Sequence, residues 1–459
     1  MGCTRNRLKT WGECFRIFVL FGFFLTPSAV LAAVASQFSL SVGEQYNDNI
    51  FFQKNKEHDF VTVITPTLHF FYAPTGQAAP TLNLDISPSA QFYARHSELN
   101  NFGDELSSGG SYTYHYSPRL TFSLSDRFRR QGQTRTPGVD GFQLPLTPTG
   151  GFPVGAPAPR IPGQDLDDFV SRGDQLRNNF AFQGRFLYRP DISINGGYSN
   201  VYTKFLDAGG NDWSQSFSIR GVYNWRQEHN LHVGYRVTST NSRNGDSGLI
   251  HDFDFGDDYF TNQVYKVELT PTLSLSASTG LSINTSDEGP RVRNSSTVTI
   301  TKLWETATLS AGLRKGLTPS FGISGVSDTT ALFSNFRIQL AERVTGDARV
   351  SYSFYDTNEV NFKTFQASAI LQYVITTWLS SNLSYSYRFI DSGSGARRTD
   401  LLTRGTVDGS SVFLNFVARF DLWPNIGLAR SLSSTALSPV LRTPFPIPQP
   451  AAPATPAKP

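Results

Sequence analysis

The stretch Thr272–Asn284 reads TLSLSASTGLSIN, and its residues alternate between apolar and polar at every second position. One set is apolar apart from Thr279, and its members are Leu273, Leu275, Ala277, Leu281 and Ile283. The residues between them are serine, threonine, glycine and asparagine. A period of two residues is that of a β-strand whose two faces meet different surroundings. The stretch therefore predicts a strand with one apolar face and one polar face.

The same alternation recurs along most of the chain, in about eighteen short stretches joined by turns and loops. Helical periodicity of 3.6 residues is nearly absent. Two-faced strands that close into a ring are typical of a transmembrane barrel with lipid outside and water inside. A soluble β-sandwich is the alternative, but it would have edge strands and a less regular series of loops. We therefore predict an all-β fold: a transmembrane, antiparallel, up-and-down β-barrel of about 18 strands.

The connections alternate in length, as in barrels with short periplasmic turns and longer outer loops. The predicted short turns lie at residues 73–76, 116–120, 188–192, 225–231, 269–273, 304–306, 345–347 and 375–378. The predicted longer loops lie at residues 48–59, 96–105, 131–175, 206–212, 242–257, 286–291, 318–329, 355–363 and 391–409. An even number of strands would leave both termini on the periplasmic side.

Residues 1–35 have the features of a secretion signal peptide. A positively charged start precedes the apolar run Ile17–Leu25 (IFVLFGFFL), and small residues follow Pro27. Ala33–Ala35 is the preferred cleavage site, and Val30–Ala32 is the second choice. The apolar run is too short for a membrane helix, which needs about 20 residues. We expect export and insertion into a bacterial outer membrane.

Charge and cysteine content exclude several classes of function. Removing Arg5, Arg7, Lys9 and Arg16 together with Glu13 from the 40 basic and 37 acidic residues leaves 36 of each. A neutral mature chain argues against nucleic-acid binding, which requires a basic surface. Both cysteines, Cys3 and Cys14, lie in the signal peptide, so the mature chain is expected to lack disulfides and thiolate sites. No catalytic group, metal site or cofactor is predicted.

The barrel is predicted to span residues 36–423 and to be followed by a proline-rich tail, residues 424–459. The last predicted strand is Ser411–Phe420, and the chain ends in PFPIPQPAAPATPAKP. Closely spaced prolines cannot form a ladder of strand hydrogen bonds and favour polyproline II. The tail is predicted to be disordered in the periplasm, or to tether the barrel to a periplasmic partner.

The polar face of the predicted strands is rich in basic residues. The side chains in inward phase are Arg95, Arg127, Arg129, Arg185, Arg220, Arg236, Lys266, Arg314, Arg337, Arg388 and Arg419. Inward acids are expected to be few, namely Asp85 and Glu268. A water-filled tube lined by one sign of charge concentrates counter-ions. The pattern predicts an anion-favouring lumen; alternatively, these side chains pair with carboxylates and serve packing.

The longest predicted loop, residues 131–175, carries a group of acids. They are Asp140, Asp165, Asp167, Asp168 and Asp174. A loop of this length with little secondary structure of its own is usually functional or disordered. We predict that it folds into the barrel as a constriction loop whose acids meet the wall arginines; the alternative is an external surface loop.

Two further groups are weaker candidates for a site. His229 and His232 are three residues apart, so on a strand they would point to opposite faces, which argues against a shared metal ion. A predicted acidic outer loop could hold Ca²⁺ or bridge lipopolysaccharide through divalent ions, although a solvated loop is the simpler reading. Its acids are Asp246, Asp252, Asp254, Asp257 and Asp258.

The first strands resemble the opening of the beta-barrel porin 2 family. The similarity lies in Tyr46–Phe51 (YNDNIF), the short lysine-containing loop after it, and Asp59–Pro66 (DFVTVITP). It is specific in this opening and generic afterwards. The resemblance implies a bacterial outer-membrane barrel, and some relatives are similar to barrels encoded with exopolysaccharide export systems. The proline-rich tail departs from a conventional C-terminal insertion signal.

Three functions follow as hypotheses. The first is a channel for passive passage of small polar or anionic solutes, since a barrel of about 18 strands is wide enough for an aqueous path. The second is the outer-membrane outlet of an exopolysaccharide export system. The third is a plugged structural barrel or adhesin. The expected partners are outer-membrane lipid and lipopolysaccharide, the barrel-assembly machinery, and a periplasmic partner for the tail.

Overall fold

The computed structural model of the protein describes residues 32–74, 80–131, 174–206, 210–226, 229–241, 247–261, 272–286, 289–319, 326–356, 361–392 and 405–423. These residues form an 18-stranded sheet. The strands are β1 Ala32–Asn47, β2 Asp59–Pro74, β3 Thr81–Tyr93, β4 Asn101–Ser117, β5 Leu120–Gln131, β6 Gln175–Arg189, β7 Ile192–Phe205, β8 Asn211–Arg226, β9 His229–Asn241, β10 Ser247–Thr261, β11 Thr272–Ser286, β12 Gly289–Leu303, β13 Ala307–Pro319, β14 Val326–Ala341, β15 Val344–Asp356, β16 Asn361–Val374, β17 Leu379–Ser392 and β18 Gly405–Trp423. A 3-10 turn, Ser97–Leu99, lies between β3 and β4.

Each strand pairs antiparallel with its neighbours in the chain, and β1 also pairs with β18. The pairing of the first and last strands runs from Asn47 opposite Ser411 to Phe38 opposite Phe420. The sheet is therefore a closed up-and-down barrel, and the predicted fold class is confirmed. Closure leaves none of the 18 described strands with a wholly unpaired edge, which an open sheet would expose.

The first strand begins and the last strand finishes at the same end of the barrel, at Ala32 of β1 and Trp423 of β18. We call this the terminal end and the opposite end the loop end. Tight turns join strands at the terminal end: β4 and β5 are linked by residues 118–119, and Leu120 N–H donates to Ser117 Oγ at 3.1 Å. The longest connection, between β5 and β6, leaves from the loop end.

Several predicted boundaries were wrong, and for one reason. The predicted turn at residues 345–347 lies inside β15, because the chain turns between Ala341 and Val344. The predicted loops at residues 96–105, 242–257, 286–291 and 318–329 are shorter than expected, because strand residues occupy part of each. Polar side chains that face the barrel interior resemble loop residues when read in sequence alone.

Burial in this barrel is inverted relative to a soluble protein. On β11, Leu281 is 52% exposed while the next residue, Ser282, is fully buried and Asn284 is 4% exposed. Large apolar side chains dominate the exposed residues of the described strands, and polar side chains dominate the buried ones. The apolar face therefore points outward and the polar face inward, as the alternation of Thr272–Asn284 predicts.

Aromatic side chains lie at the terminal end of the outward face. Phe420 of β18 stacks on Phe38 of β1, with ring centroids 6.4 Å apart, and on Trp378, also at 6.4 Å. Tyr112, Tyr114 and Tyr116 form an outward row on β4. Amphipathic rings favour the boundary between apolar and aqueous surroundings.

One inward patch near the loop end is apolar. Val61, Val63, Tyr93 and Phe413 form a buried cluster, and Leu99 of the 3-10 turn packs against it. The connection between β3 and β4 thus folds over the inner wall. Tyr93 also donates its hydroxyl to Gln91 Oε1 at 2.8 Å, which joins the cluster to the polar lining.

Among the described residues, no helix is long and apolar enough to cross a membrane. Residues 1–31 and the tail, residues 424–459, lie outside the described residues, so both assignments stay predictions. β1 begins at Ala32 and therefore includes the preferred cleavage site, Ala33–Ala35.

Candidate functional site

The inward face of the barrel carries most of the arginines that the sequence pattern assigned to it. Side-chain alternation puts them on the same face as the buried serine, threonine and asparagine residues. They are Arg127, Arg129, Arg185, Arg220, Arg236, Arg314, Arg337, Arg388 and Arg419. Arg95 follows the end of β3 and contacts His58 in the neighbouring connection, so it is not part of the strand wall. Lys266 and Glu268 lie outside the described residues.

Further inward arginines were missed in the sequence. Arg177 of β6 is opposite Arg129, and Arg349 of β15 is opposite Asn335. Arg291 and Arg293 of β12 are opposite Asn284 and Ser282. The predicted loops cover Arg291, and each of the other three arginines lies two residues beyond the end of a predicted loop or turn. Register with a well-defined neighbouring strand is the signal that identifies them.

The expectation that inward acids are few was wrong. Register and alternation place many more carboxylates on the inward face than Asp85 alone. These additional acids are Asp59, Glu105, Asp212, Asp252, Asp254, Asp258, Asp347 and Asp421. Arginines still outnumber carboxylates on the inward face of the described strands, so the lining stays basic.

Some of these charges are paired across strands. Arg220 donates to Asp254 at 2.9 Å, and Arg337 donates to Asp347 at 2.9 Å. Both arginines are about 40% exposed at the side chain (44% and 39%), so water and solutes reach them. Exposed pairs of this kind contribute only about 0–1 kcal/mol to stability. The alternative that inward basic side chains pair with carboxylates therefore holds for Arg220 and Arg337.

The basic charge is concentrated on β5 and β6. Arg129 is the direct partner of Arg177, and Arg127 lies two residues further along β5 on the same face. Arg185 is opposite Thr121 on the same pair of strands. We call Arg127, Arg129, Arg177 and Arg185 the basic strip. Its guanidinium groups can donate paired N–H groups to carboxylates or phosphates.

The predicted acidic outer loop is a strand. β10 begins at Ser247, so Asp252, Asp254, Asp257 and Asp258 lie in the barrel wall, and Asp246 is outside the described residues. Asp257 has the outward phase of Phe253 and Phe255, whereas the other three carboxylates face inward. A calcium or lipopolysaccharide loop built from these residues is therefore excluded.

The two histidines of β9 lie on opposite faces, as their spacing predicts. His229 contacts Asp257 with its Nδ1, at 2.6 Å, on the outward face. His232 lies on the inward face beside Asp254 and Asp258. Within the described ranges, no group of three or more His, Cys, Asp or Glu side chains is arranged to hold a metal ion.

The candidate constriction-loop acids are mostly outside the described residues, namely Asp140, Asp165, Asp167 and Asp168. Asp174 is described, and its Oδ2 accepts from Arg130 Nη2 at 3.0 Å. Arg130 follows Arg129 in β5 and therefore has the outward phase. This contact does not join Asp174 to the basic strip.

A cluster of charged residues fixes the connections at the loop end. The buried carboxylate of Asp59 accepts from the backbone N–H groups of Arg95 and His96, each at 3.0 Å, and from His96 Nδ1 at 2.9 Å. His96 Nε2 lies 3.1 Å from Glu57. The hydrogen bond to Asp59 raises the pKa of His96 above its ordinary 6.5, partly opposed by burial and supported by Glu57.

The YNDNIF stretch ties the same end to β18. Lys56 Nζ lies 2.7 Å from Asp408 and 3.5 Å from Asp48, and the hydrogen bond to Asp408 raises the pKa of Lys56. The amide of Asn49 donates to the backbone oxygens of Gln53 and Asp408, at 2.7 and 2.8 Å. These residues hold the loop across the junction of the first and last strands.

Comparisons with known proteins show a similar fold in solved structures and no related sequence. No family model and no curated protein matches the chain. Among solved structures, the chain is similar to Pseudomonas aeruginosa OccK2 (OpdF) in complex with glucuronate, at 9% identity and a TM-score of 0.46, over 85% of this chain and 98% of that chain. It is also similar to Acinetobacter baumannii OccAB3, at 10% identity and a TM-score of 0.44, over 84% and 99%. The fold assignment rests on the strand pairing described above.

Proposed function

We propose that the protein is a bacterial outer-membrane channel that passes small polar solutes and favours anions. The observation that carries the proposal is the inverted burial of a closed barrel. Its outward face exposes Phe217, Ile219 and Phe255 at 55–59%, while Ser282 and Ser327 are fully buried inside. An apolar exterior of this kind is stable in hydrocarbon, where the closed strand ladder satisfies the backbone hydrogen bonds.

The width of the barrel supports a channel. Barrels of 16–18 strands leave an aqueous path in their centre, whereas barrels of about 8 strands fill with side chains. Polar side chains dominate the buried positions of the described strands, and such an inner face suits hydrated solutes. The apolar cluster of Val61, Val63, Tyr93 and Phe413 lies on the inner wall near the loop end.

The preference for anions follows from the excess of inward arginine. The four arginines of the basic strip lie on two adjacent strands, and Arg388 and Arg419 add positive charge on β17 and β18. Fixed charge of one sign within low-dielectric walls concentrates counter-ions and sets selectivity. The inward carboxylates reduce this excess without cancelling it.

Orientation, partners and family are part of the same proposal. Both ends of the strand path lie at one end of the barrel, which fits periplasmic termini and external loops. Insertion would require the barrel-assembly machinery, and the outward face would contact lipid and lipopolysaccharide. The proline-rich tail would remain periplasmic and reach a partner there. The YNDNIF opening supports membership of the beta-barrel porin 2 family.

The test is conductance of the purified protein in planar bilayers. We expect stepwise openings and, in a KCl gradient, a reversal potential of the sign for chloride preference. A cation-selective potential would contradict the anion preference. A protein that inserts without conducting would be a plugged barrel, and the channel proposal would fail.

A further inference from the structure

The barrel wall divides near the loop end, between β12 and β13. β12 pairs with β11 from Gly289 to Leu303, but it pairs with β13 only from Ser296 to Leu303. On its other side, β13 stays paired with β14 as far as Pro319. The last residues of β13 and the first residues of β14 therefore leave β12 together. We call residues 317–319 and 326–328 the inner hairpin.

The inner hairpin lies on the lumen side of β10–β12. Val326 and Asp328 have the outward phase of Leu332, which is 50% exposed on β14. Asp328 Oδ2 nevertheless lies 3.0 Å from Nε of Arg293, which has the inward phase of β12. A Cβ on Gly248, an inward position of β10, would lie 3.2 Å from Val326 Cγ2. The outward face of the hairpin therefore packs on the inward face of the wall, and the two layers overlap.

Burial near the loop end agrees with this overlap. Leu317 of the hairpin is buried, although Leu313, which has the same phase four residues earlier in β13, is 37% exposed. On the inward face that the hairpin covers, Ile250 of β10 and Asn284 of β11 are also buried. Asp254, four residues further from the loop end on β10, is 28% exposed. Water thus reaches the inner wall below the hairpin but not beneath it.

The overlap brings a second layer of chain into the lumen. Around an undivided wall, β10 and β14 would be four strands apart, or about 19 Å. The approach of Val326 to Gly248 requires β14 to cover that distance inside the barrel. Packed layers of strands lie about 10 Å apart, so the hairpin occupies about that depth on one side of the lumen.

We propose that the inner hairpin is the constriction of the channel and sets its size limit, and that the Arg293–Asp328 pair holds it in place. This inference rests on the proposed function and specifies how passage through the same lumen is regulated. It assigns the constriction to the end of β13 and β14, and it does not require the long connection between β5 and β6.

The hairpin has a second position available to it. If β13 continued to pair along β12 beyond Ser296, the hairpin would return to the wall and the lumen would widen. The added ladder of that position opposes the packing and the Arg293–Asp328 contact of the observed one. Thr318 Oγ1 lies 2.6 Å from Thr329 Oγ1 and 3.2 Å from Ser327 Oγ, so the two strands are joined and move as one unit. Such an element has two discrete arrangements, and one ion pair can bias them.

A disulfide tests the overlap itself. The variant Gly248→Cys with Val326→Cys, in full-length protein inserted into membranes, should form a disulfide under mild oxidation, because bonded cysteines have Cβ atoms about 3.5–4.5 Å apart. Both native cysteines lie in the predicted signal peptide. The control is Gly248→Cys with Leu332→Cys, which should stay reduced. Mass spectrometry of the linked peptides measures both, and an unlinked first pair would overturn the proposal.

Conductance in planar bilayers tests the constriction. We expect two levels in the wild-type channel, and uncharged polyethylene glycols that enter the larger level should be excluded from the smaller one. The oxidised Gly248→Cys/Val326→Cys variant should show the smaller level alone, and dithiothreitol should restore the larger. Asp328→Asn should increase the time in the larger level by about two- to fivefold, as for loss of one partly exposed ion pair. The matched control is Asp347→Asn, which breaks a pair between neighbouring strands and should leave that time unchanged.

The outcomes separate this inference from the proposed function. A conducting channel in which neither the disulfide nor Asp328→Asn changes the levels would overturn the constriction and leave the channel intact. An equal gain in Asp347→Asn would also overturn it, since loss of any inward carboxylate would then suffice. If no variant conducts and the wild-type protein does not either, the channel proposal fails and the constriction fails with it, whether or not the disulfide forms.

Discussion

Arg129 of β5 and Arg177 of β6 are direct cross-strand partners, with both side chains on the inward face. Side chains in directly opposite positions have Cβ atoms about 4.5–5.5 Å apart, and like charges at this spacing destabilise a sheet. Glu105, diagonally related to Arg129 on β4, offsets part of the repulsion. Arg177 Nε also donates to Asn179 Oδ1 at 3.3 Å. The arginine pair places two positive charges side by side on the inner wall, which suits the anion preference that we propose.

Removing one of these charges should reduce anion preference. Arg129→Gln is expected to shift the KCl reversal potential towards zero by a few millivolts, because one of several lining charges is lost. The control is Arg130→Gln on the next residue, which has the outward phase and contacts Asp174. Equal shifts in the two variants would show that the inward phase of Arg129 has no influence on selectivity.

The two faces of a strand should respond differently to a charged substitution. Ile219 of β8 is 55% exposed on the outward face, and Ser218 has the inward phase. Ile219→Lys should lower the free energy of unfolding in lipid by about 2–4 kcal/mol, the cost of a lysine near the bilayer midplane. Ser218→Lys should cost less than about 1 kcal/mol. Denaturant titration in phospholipid vesicles measures both. A larger loss for Ser218→Lys would mean that the two faces are assigned the wrong way round.

Two glycines should tolerate a methyl group to different degrees. A Cβ on Gly280 would overlap the backbone oxygen of Phe253, whereas a Cβ on Gly196 meets nothing within 4 Å. Gly280→Ala should destabilise the barrel by about 1–3 kcal/mol, since backbone must shift to admit the methyl group. Gly196→Ala should be neutral or stabilise by about 0.4–1 kcal/mol. The same vesicle titration distinguishes them, and equal values would contradict the close approach of β10 and β11.

The loop-end cluster should loosen at alkaline pH. The pKa of His96 is raised by its hydrogen bond to Asp59, so the stabilisation is complete below the ordinary value of 6.5 and is lost as pH rises through the higher folded value. The readout is hydrogen exchange at the Arg95 and His96 amides, which both donate to Asp59. Their exchange should accelerate beyond the intrinsic effect of pH.

The control for this pH dependence is His96→Gln, which removes the titrating group. In that variant the two amides should follow the intrinsic pH dependence throughout the range. An acceleration that persists in His96→Gln would assign the effect to a different group.

The sequence predicted the strands well because their alternation depends on local chemistry alone. Leu281 and Ser282 can be assigned to opposite faces from their positions in one strand, without reference to the neighbouring strands. The closed 18-stranded barrel and the phase of most arginines followed from this periodicity. Export, cleavage and the tail concern residues that are mostly outside the described ones, and they remain predictions.

The site was predicted less well because its charge balance depends on register. Asp254 and Asp258 were predicted to lie in an acidic outer loop, whereas the structure places them in β10. Asp254 pairs with Arg220 of β8, and both carboxylates lie beside His232 of β9. Glycines such as Gly256 gave no signal in sequence, although they make room for that histidine.

The pairing of β1 with β18 has a consequence for how the molecule is made. Asn47 meets Ser411, so the ladder that completes the cylinder joins residues from nearly opposite ends of the polypeptide. Such contacts form slowly, because the conformational entropy of a long stretch of chain is lost before the contacts contribute favourable free energy. The barrel can therefore close only after β18 has been synthesised. Until then, the apolar faces of the earlier strands are exposed to water and prone to aggregation.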